Sequence, residues 1–238
     1  MEIHNRYGEK IDYAIHEANS DDKLVILAHG VTGDKDREFI VELATMLAAK
    51  GYPTLRFSFA GCGQSGGDFR DSTISKEVED LGSILDQVKG AKKIAYIGYS
   101  MGGAVGALAA AKDDRISVLI SLAGMVDTKG FAEREFGEET PDQGCMWENE
   151  SHPLSQKFVD DLTQIDTVIP AVKEHRIPWL LLHGAEDDVV LPSDSETLFK
   201  HLKGKKKHVV IDRTDHSFEG HFERVADEAG DWLGTHFK

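Results

Sequence analysis

Cysteine is nearly missing from this sequence: Cys62 and Cys145 are the only two. Two thiols make no disulfide framework, and without a Cys-x-x-Cys pair there is no thiolate zinc site. Basic residues are also in deficit. Lys and Arg number 27 against 42 Asp and Glu, a formal net charge of −15. A surface of that sign repels phosphate backbones and anionic bilayers, which excludes nucleic acid and membrane as partners. No apolar run approaches the ~20 residues of a membrane-spanning helix. Met1 to Lys10 is polar and mixed in charge, with no apolar signal-peptide core. The expected setting is therefore cytoplasmic.

What is present suits one sizeable core. With 40% hydrophobic and 29% charged residues over 238 positions, the composition is globular, and the length fits a single α/β domain over 1–238. Lys10–Ala18 alternates, with Ile11, Tyr13 and Ile15 on one face, and predicts an edge strand. After a turn at Asn19-Ser20-Asp21-Asp22 the apolar runs become continuous: 23–28, 54–59, 93–97, 116–122 and 179–182, with 208–211 completing the set. Continuous runs belong to strands buried on both faces of a parallel sheet. Helical spacing separates them. Phe39, Leu43, Met46 and Leu47 precede Gly51-Tyr52-Pro53, and Ile74, Val78, Leu81, Leu85 and Val88 precede a stop at Gly90. Met101–Lys112, Ser195–Leu202 and Phe218–Phe237 are the remaining helices. Alternation this regular predicts βαβ units, a mostly parallel sheet with helices on both faces. Residues 126–176 break the rhythm with an acidic, irregular stretch, read as a small cap or lid insertion.

Gly-x-Ser-x-Gly occurs twice, at Gly98-Tyr-Ser100-Met-Gly102 and Gly63-Gln-Ser65-Gly-Gly67, where composition gives about 0.1 chance copies. The chemistry needs a serine on a sharp strand-to-helix turn, where flanking side chains would collide with neighbouring turns. Ser100 lies between the apolar run Ile94–Ile97 and the small-residue helix starting at Met101. Ser65 is followed by Gly66-Gly-Asp-Phe-Arg, which has no helical period, and reads as a glycine-rich loop. Ser100 is the candidate nucleophile.

A serine hydroxyl needs a base, and the base needs an orienting acid. His216 follows the last strand and so lies at the sheet edge where Ser100 sits; His221 falls about a turn into the predicted helix. For the acid, Glu186, Asp187 and Asp188 all follow the 179–182 strand, and Asp187 is favoured. Asp215 is adjacent to His216, and such a neighbour rarely reaches the far imidazole nitrogen. The order Ser, Asp, His along the chain is one of those known for this triad. Oxyanion donors are expected from the backbone N–H groups of Met101 and Val31, with His29 orienting the latter's loop. Trp147 reads equally as a pocket wall or a cap anchor. The pairs His216/His221 and Glu174-His175 lack the spacing of a metal ligand set.

Together these residues resemble the α/β-hydrolase fold over essentially the whole chain. His29-Gly-Val-Thr-Gly33, Phe57-Ser-Phe-Ala-Gly-Cys-Gly-Gln-Ser-Gly67 with Thr73–Asp80, Gly98-Tyr-Ser-Met-Gly102 and Asp215-His-Ser-Phe218 are similar to the bacterial feruloyl/cinnamoyl esterase branch. The resemblance implies a serine carboxylesterase that acts on a small-molecule ester, short-chain or hydroxycinnamoyl, with no cofactor or metal. It maps the triad onto Ser100, Asp187 and His216, the oxyanion donors onto Val31 and Met101, and the cap onto 126–176. The sequence departs from the branch at Ala60-Gly-Cys62, where relatives carry Arg or Pro and then Gly-His. Hydrolysis of a thioester, lactone or small amide uses the same residues and is the alternative. A non-catalytic binding protein of this fold is the more distant one, and a homodimer is left open.

Overall fold

The computed structural model describes residues 2–19, 22–88, 91 and 93–238. Two short strands, β1 (Ile3–His4) and β2 (Lys10–Ile11), pair antiparallel at the N-terminus. The expected edge strand is thus broken at Asp12, and only its second half, β3 (Tyr13–His16), joins the main sheet, antiparallel to β5 (Thr54–Phe57). Ile11 is buried but Ile15 is 49% exposed, so the two do not share a buried face. The turn at Ser20-Asp21 and the stop at Gly90 lie outside the described residues.

The other strands are β4 (Lys23–Ala28), β6 (Lys93–Tyr99), β7 (Ile116–Leu122), β8 (Trp179–Gly184) and β9 (Lys206–Ile211). The sheet order is β3-β5-β4-β6-β7-β8-β9, parallel from β5 onward. This is the mostly parallel sheet of the α/β-hydrolase fold. Helices α1 (Glu38–Ala49) and α8 (Phe222–His236) cover one face. The other face is covered by α2 (Ile74–Gln87), α3 (Met101–Ala110), α4 (Thr128–Phe136), α5 (Gln156–Ile165), α6 (Ile169–Val172) and α7 (Pro192–His201).

The continuous apolar runs are explained by this layering. Along β4, Ile26 and Ala28 enter one core while Val25 and Leu27 enter the other. On β8, Trp179 and Leu181 alternate in the same way with Leu180 and Leu182. Both sets are removed from water, which at ~25 cal/mol per Å² is the dominant stabilising term.

Residues 126–176 carry α4, α5 and α6. Thr167 bridges back to Asp127, and Asp194 on α7 accepts the Val126 and Asp127 N–H groups at 2.7 and 3.0 Å, which ties the two ends of the stretch together. Phe131, Phe158 and Leu162 join the core above the sheet.

The last helix begins four residues later than its spacing predicts. Phe218 takes a left-handed conformation (φ 57°) and its ring stacks on Phe39 at 5.5 Å, so it anchors a loop instead of starting a helix. His221 is the residue that precedes α8. Lys206 and Lys207 begin β9, and the Lys206 ammonium donates to the Phe199 and Leu202 carbonyls at the end of α7, which complements its negative dipole end.

Gly98 is where the sheet and α3 come closest. A methyl group there would lie 2.2 Å from the Gly102 carbonyl oxygen. Gly98→Ala should therefore lower stability by about 3 kcal/mol, an overpacking cost. A urea midpoint that moves by less than about 0.5 kcal/mol-equivalent would show that the turn relaxes freely.

Candidate active site

Ser100 stands between β6 and α3 with φ 55° and ψ −122°, a region that a non-glycine residue occupies only under constraint. Its N–H donates to the Leu122 carbonyl (2.9 Å), and its own carbonyl accepts from Gly103 and Met125 (2.9 and 3.1 Å). These bonds hold the strained turn and point the hydroxyl away from the sheet. Gly102 is required on the far side, because a methyl there would come 2.6 Å from the His29 carbonyl oxygen.

Three loops at the carboxyl ends of parallel strands converge on that hydroxyl. His216, after β9, places Nε2 3.0 Å from Ser100 Oγ. Its Nδ1 lies 2.8 Å from Oδ2 of Asp187, which follows β8. Asp187 is buried while Glu186 and Asp188 are exposed. Its Oδ1 accepts the Val189 and Val190 N–H groups at 3.0 and 2.9 Å. Oδ2 also meets Nε2 of His183 at 3.1 Å. Burial by itself would push this carboxyl up, but hydrogen bonds from His183 and His216 outweigh it and hold the group down at about 2. The carboxylate is therefore ionised throughout the neutral range.

The rival residues are occupied elsewhere. Asp215 accepts from the N–H and hydroxyl of Ser217, not from His216. The Ser65 hydroxyl donates to the Ser58 carbonyl (2.7 Å) and accepts the Asp12 N–H (2.9 Å), a loop-bracing role. His221 Nδ1 contacts the Glu219 carbonyl at 3.1 Å. Glu174 pairs with Lys203, and His175 packs edge-on against Trp179. Among the described residues no three His, Cys, Asp or Glu side chains are arranged to hold a metal ion.

His29 is fully buried, and burial depresses its imidazole to about 4, so the ring is neutral at pH 7. The Phe59 N–H donates to Nε2 (3.1 Å), which makes Nε2 the acceptor and leaves Nδ1–H to donate to the Gly30 carbonyl (2.7 Å). That bond fixes the loop carrying Val31. Among the described residues neither the Val31 nor the Met101 backbone N–H has a protein acceptor.

Ser100 and His216 open into a cavity of ≈ 260 Å³. Val31, Tyr99, Trp147 and Val189 give it mainly apolar walls. Trp147 sits in a left-handed conformation (φ 47°), packs on Phe136 at 5.1 Å and donates its Nε1–H to Glu135 at 3.0 Å. It is both a wall of the cavity and an anchor of its own segment. Tyr99 and His183 were not singled out by sequence. The Tyr99 hydroxyl donates to the His216 carbonyl (3.1 Å) and its ring lies 5.1 Å from the imidazole, which positions the histidine loop. A tyrosine inside the Gly-x-Ser-x-Gly motif was the available signal for it; for His183, fully buried on β8, it was a histidine ending an apolar strand.

A profile of the prolyl oligopeptidase family matches residues 38–237. The chain belongs to that family. It is a hydrolase of the α/β-hydrolase superfamily. The structure of Est1E from Butyrivibrio proteoclasticus, solved with ferulic acid bound, is similar with a TM-score of 0.89 at 27% identity, covering 100% of this chain and 99% of that one. A mitochondrial palmitoyl-protein thioesterase of Bos taurus is 28% identical over 155 residues, 59% of this chain and 49% of the thioesterase. A proline iminopeptidase of Saccharolobus solfataricus is 28% identical over 147 residues, 58% of this chain and 45% of the peptidase. The match spans about half the length of those two relatives. Among the described residues no helix is long and apolar enough to cross a membrane.

Proposed function

We propose that the protein is a serine carboxylesterase that works through an acyl-enzyme on Ser100. The observation that carries this reading is the unbroken chain Ser100 Oγ–His216 Nε2, His216 Nδ1–Asp187 Oδ2, at 3.0 and 2.8 Å. In the mechanism His216 takes the Ser100 proton as Oγ attacks the ester carbonyl. The charge that develops on the carbonyl oxygen is met by the Val31 and Met101 N–H groups, each donor being worth roughly 10²–10³ in rate. His216 then returns the proton to the departing alcohol. Water, activated by the same imidazole, attacks the acyl-enzyme and frees Ser100. Asp187 holds the imidazole with its proton on Nδ1 and stabilises the charged ring in between.

Two relatives are named as a thioesterase and an iminopeptidase, and Est1E holds ferulic acid; a serine with a positioned base can attack the acyl carbon of an ester, a thioester or an amide alike. The cavity favours an ester with one compact acyl group, since ≈ 260 Å³ lies below the ~300–1,000 Å³ of drug-sized sites. The 126–176 segment, through Trp147, is proposed to bound that group as a cap. Steady-state hydrolysis of 4-nitrophenyl esters of two, four and eight carbons beside methyl ferulate tests the reading. The expected order in kcat/KM is four or two carbons above eight, by about tenfold or more for the crowded chain. Matched thioesters and amides turned over faster than esters would overturn the assignment of bond type.

A further inference from the structure

The cavity over Ser100 carries one permanent charge, and it is positive. Val31, Thr32, Tyr99, Trp147 and Val189 line it as neutral groups, and Arg37 adds a guanidinium. Arg37 is exposed at the mouth of the cavity, in a chain of net charge −15. Of the carboxylates near it, Glu38 and Glu219 share a separate neighbouring groove with Arg37, while others are engaged elsewhere. Asp36 accepts from Lys35 (2.5 Å) and Arg56 (2.6 Å), Asp12 pairs with Lys35 (3.0 Å), and Asp34 accepts the Asp36 N–H (2.7 Å). On the 126–176 segment, Glu135 is held by Arg134 and the Trp147 indole. The Arg37 side chain itself has no hydrogen bond or ion pair among the described residues. His152, also on that segment, is depressed by burial and then by the Arg37 charge, and its buried Nδ1 has no partner. Among the described residues no acidic side chain lines the cavity itself.

We propose that Arg37 binds a carboxylate on the substrate, so that the preferred esters are monoanionic, the charge lying on the acyl or the alcohol part. A guanidinium presents a planar fork that matches a carboxylate with two parallel hydrogen bonds. One guanidinium balances one negative charge, which suits a carboxylate better than a doubly charged phosphate. Without Arg37 the acidic surface would disfavour such a substrate; with it, the one permanently charged side chain that lines the cavity among the described residues selects for it. The inference rests on the serine esterase reading and narrows its substrate class.

The test compares matched pairs. The 4-nitrophenyl monoester of glutaric acid is set against its neutral carbamoyl analogue, and 4-carboxyphenyl butanoate against 4-carbamoylphenyl butanoate. The readout is the anionic-to-neutral ratio of kcat/KM within each protein, for wild type, Arg37→Gln and Arg37→Lys. Wild type should favour the anionic member of at least one pair by about tenfold, mainly through KM, as a charge-assisted contact implies. In Arg37→Gln the ratio should fall to one or below, and Arg37→Lys should keep part of it. Because the Arg37 side chain makes no internal bond, the variants should fold, which circular dichroism checks. A wild-type ratio of one or less in both pairs, or a ratio that survives in Arg37→Gln, overturns the proposal while leaving ester hydrolysis in place. No turnover of any of the four esters beyond that of Ser100→Ala removes the esterase reading and this one with it.

Discussion

Ser100→Ala is expected to lower kcat on 4-nitrophenyl butanoate by about 10⁵–10⁶-fold while the protein stays folded. The hydroxyl bonds only to His216, so its loss leaves no buried partner stranded inside the sheet. Alanine keeps the Cβ and the same backbone at φ 55°, and the bonds to Leu122, Gly103 and Met125 are untouched. The stability change should stay within about 1 kcal/mol. What remains is whatever the Val31 and Met101 N–H groups and substrate positioning supply without a nucleophile, ~10³-fold over water. Two readouts bear on the result. A fluorophosphonate probe should label wild type at Ser100, seen by peptide mass spectrometry, and leave the variant unlabelled. Activity within tenfold of wild type in a purified, folded variant would mean that another group attacks the substrate.

The second large effect is at Asp187. Asp187→Asn should reduce kcat by about 10⁴-fold, with a smaller change in KM. Four donors surround this carboxylate: the Val189 and Val190 N–H groups on Oδ1, His216 and His183 on Oδ2. An amide has only one acceptor oxygen. If its NH₂ faces the histidines it donates to His216 Nδ1, moves the ring proton to Nε2, and the imidazole can no longer accept from Ser100. If the NH₂ faces the loop it confronts two backbone N–H groups instead. Either orientation also strands a buried donor, which costs ~1–3 kcal/mol. The wild-type carboxyl shows the sign of the coupling. Its folded value of about 2 lies below its ordinary 3.8, so it stabilises the fold above pH ~4 and that contribution, on the order of 2 kcal/mol, is lost as the pH falls through about 2. In Asp187→Asn this segment of the acid denaturation curve should flatten. A variant that keeps a tenth of wild-type kcat would show that His216 is oriented without Asp187.

Where local residues decide an element, the sequence was readable. Gly98 and Gly102 around Ser100 follow from the closeness of a strand and helix joined by one residue, and this closeness needs no knowledge of the rest of the chain. The unbroken apolar runs of β4, β6, β7 and β8 announce burial on both faces, and hence a parallel sheet covered by helices. Ser100 and His216 could be singled out as candidates because the sheet puts the carboxyl ends of its parallel strands on one edge, and each follows a legible strand. Local rules also misled. Phe218 belongs to the helical pattern by spacing, but the pocket between Phe39 and Tyr99 takes its ring and delays the helix. Ile15 alternates correctly and is still exposed, since the chain breaks at Asp12 before it reaches the main sheet.

The amino-acid order by itself determined the architecture, the strained serine turn and the edge of the sheet where the candidate residues gather. These depend on side-chain periodicity and on backbone sterics over a few residues. The tertiary structure decided which of three consecutive acids faces His216, because Asp187 is chosen by the Val189 and Val190 N–H groups that turn it inward while its neighbours stay in water. It also decided that Trp147 and Arg37, 110 positions apart in the chain, border the same cavity. Such meetings are set by how α1 and the 126–176 segment pack over the sheet, and the physical forces behind them act between residues that share no local pattern.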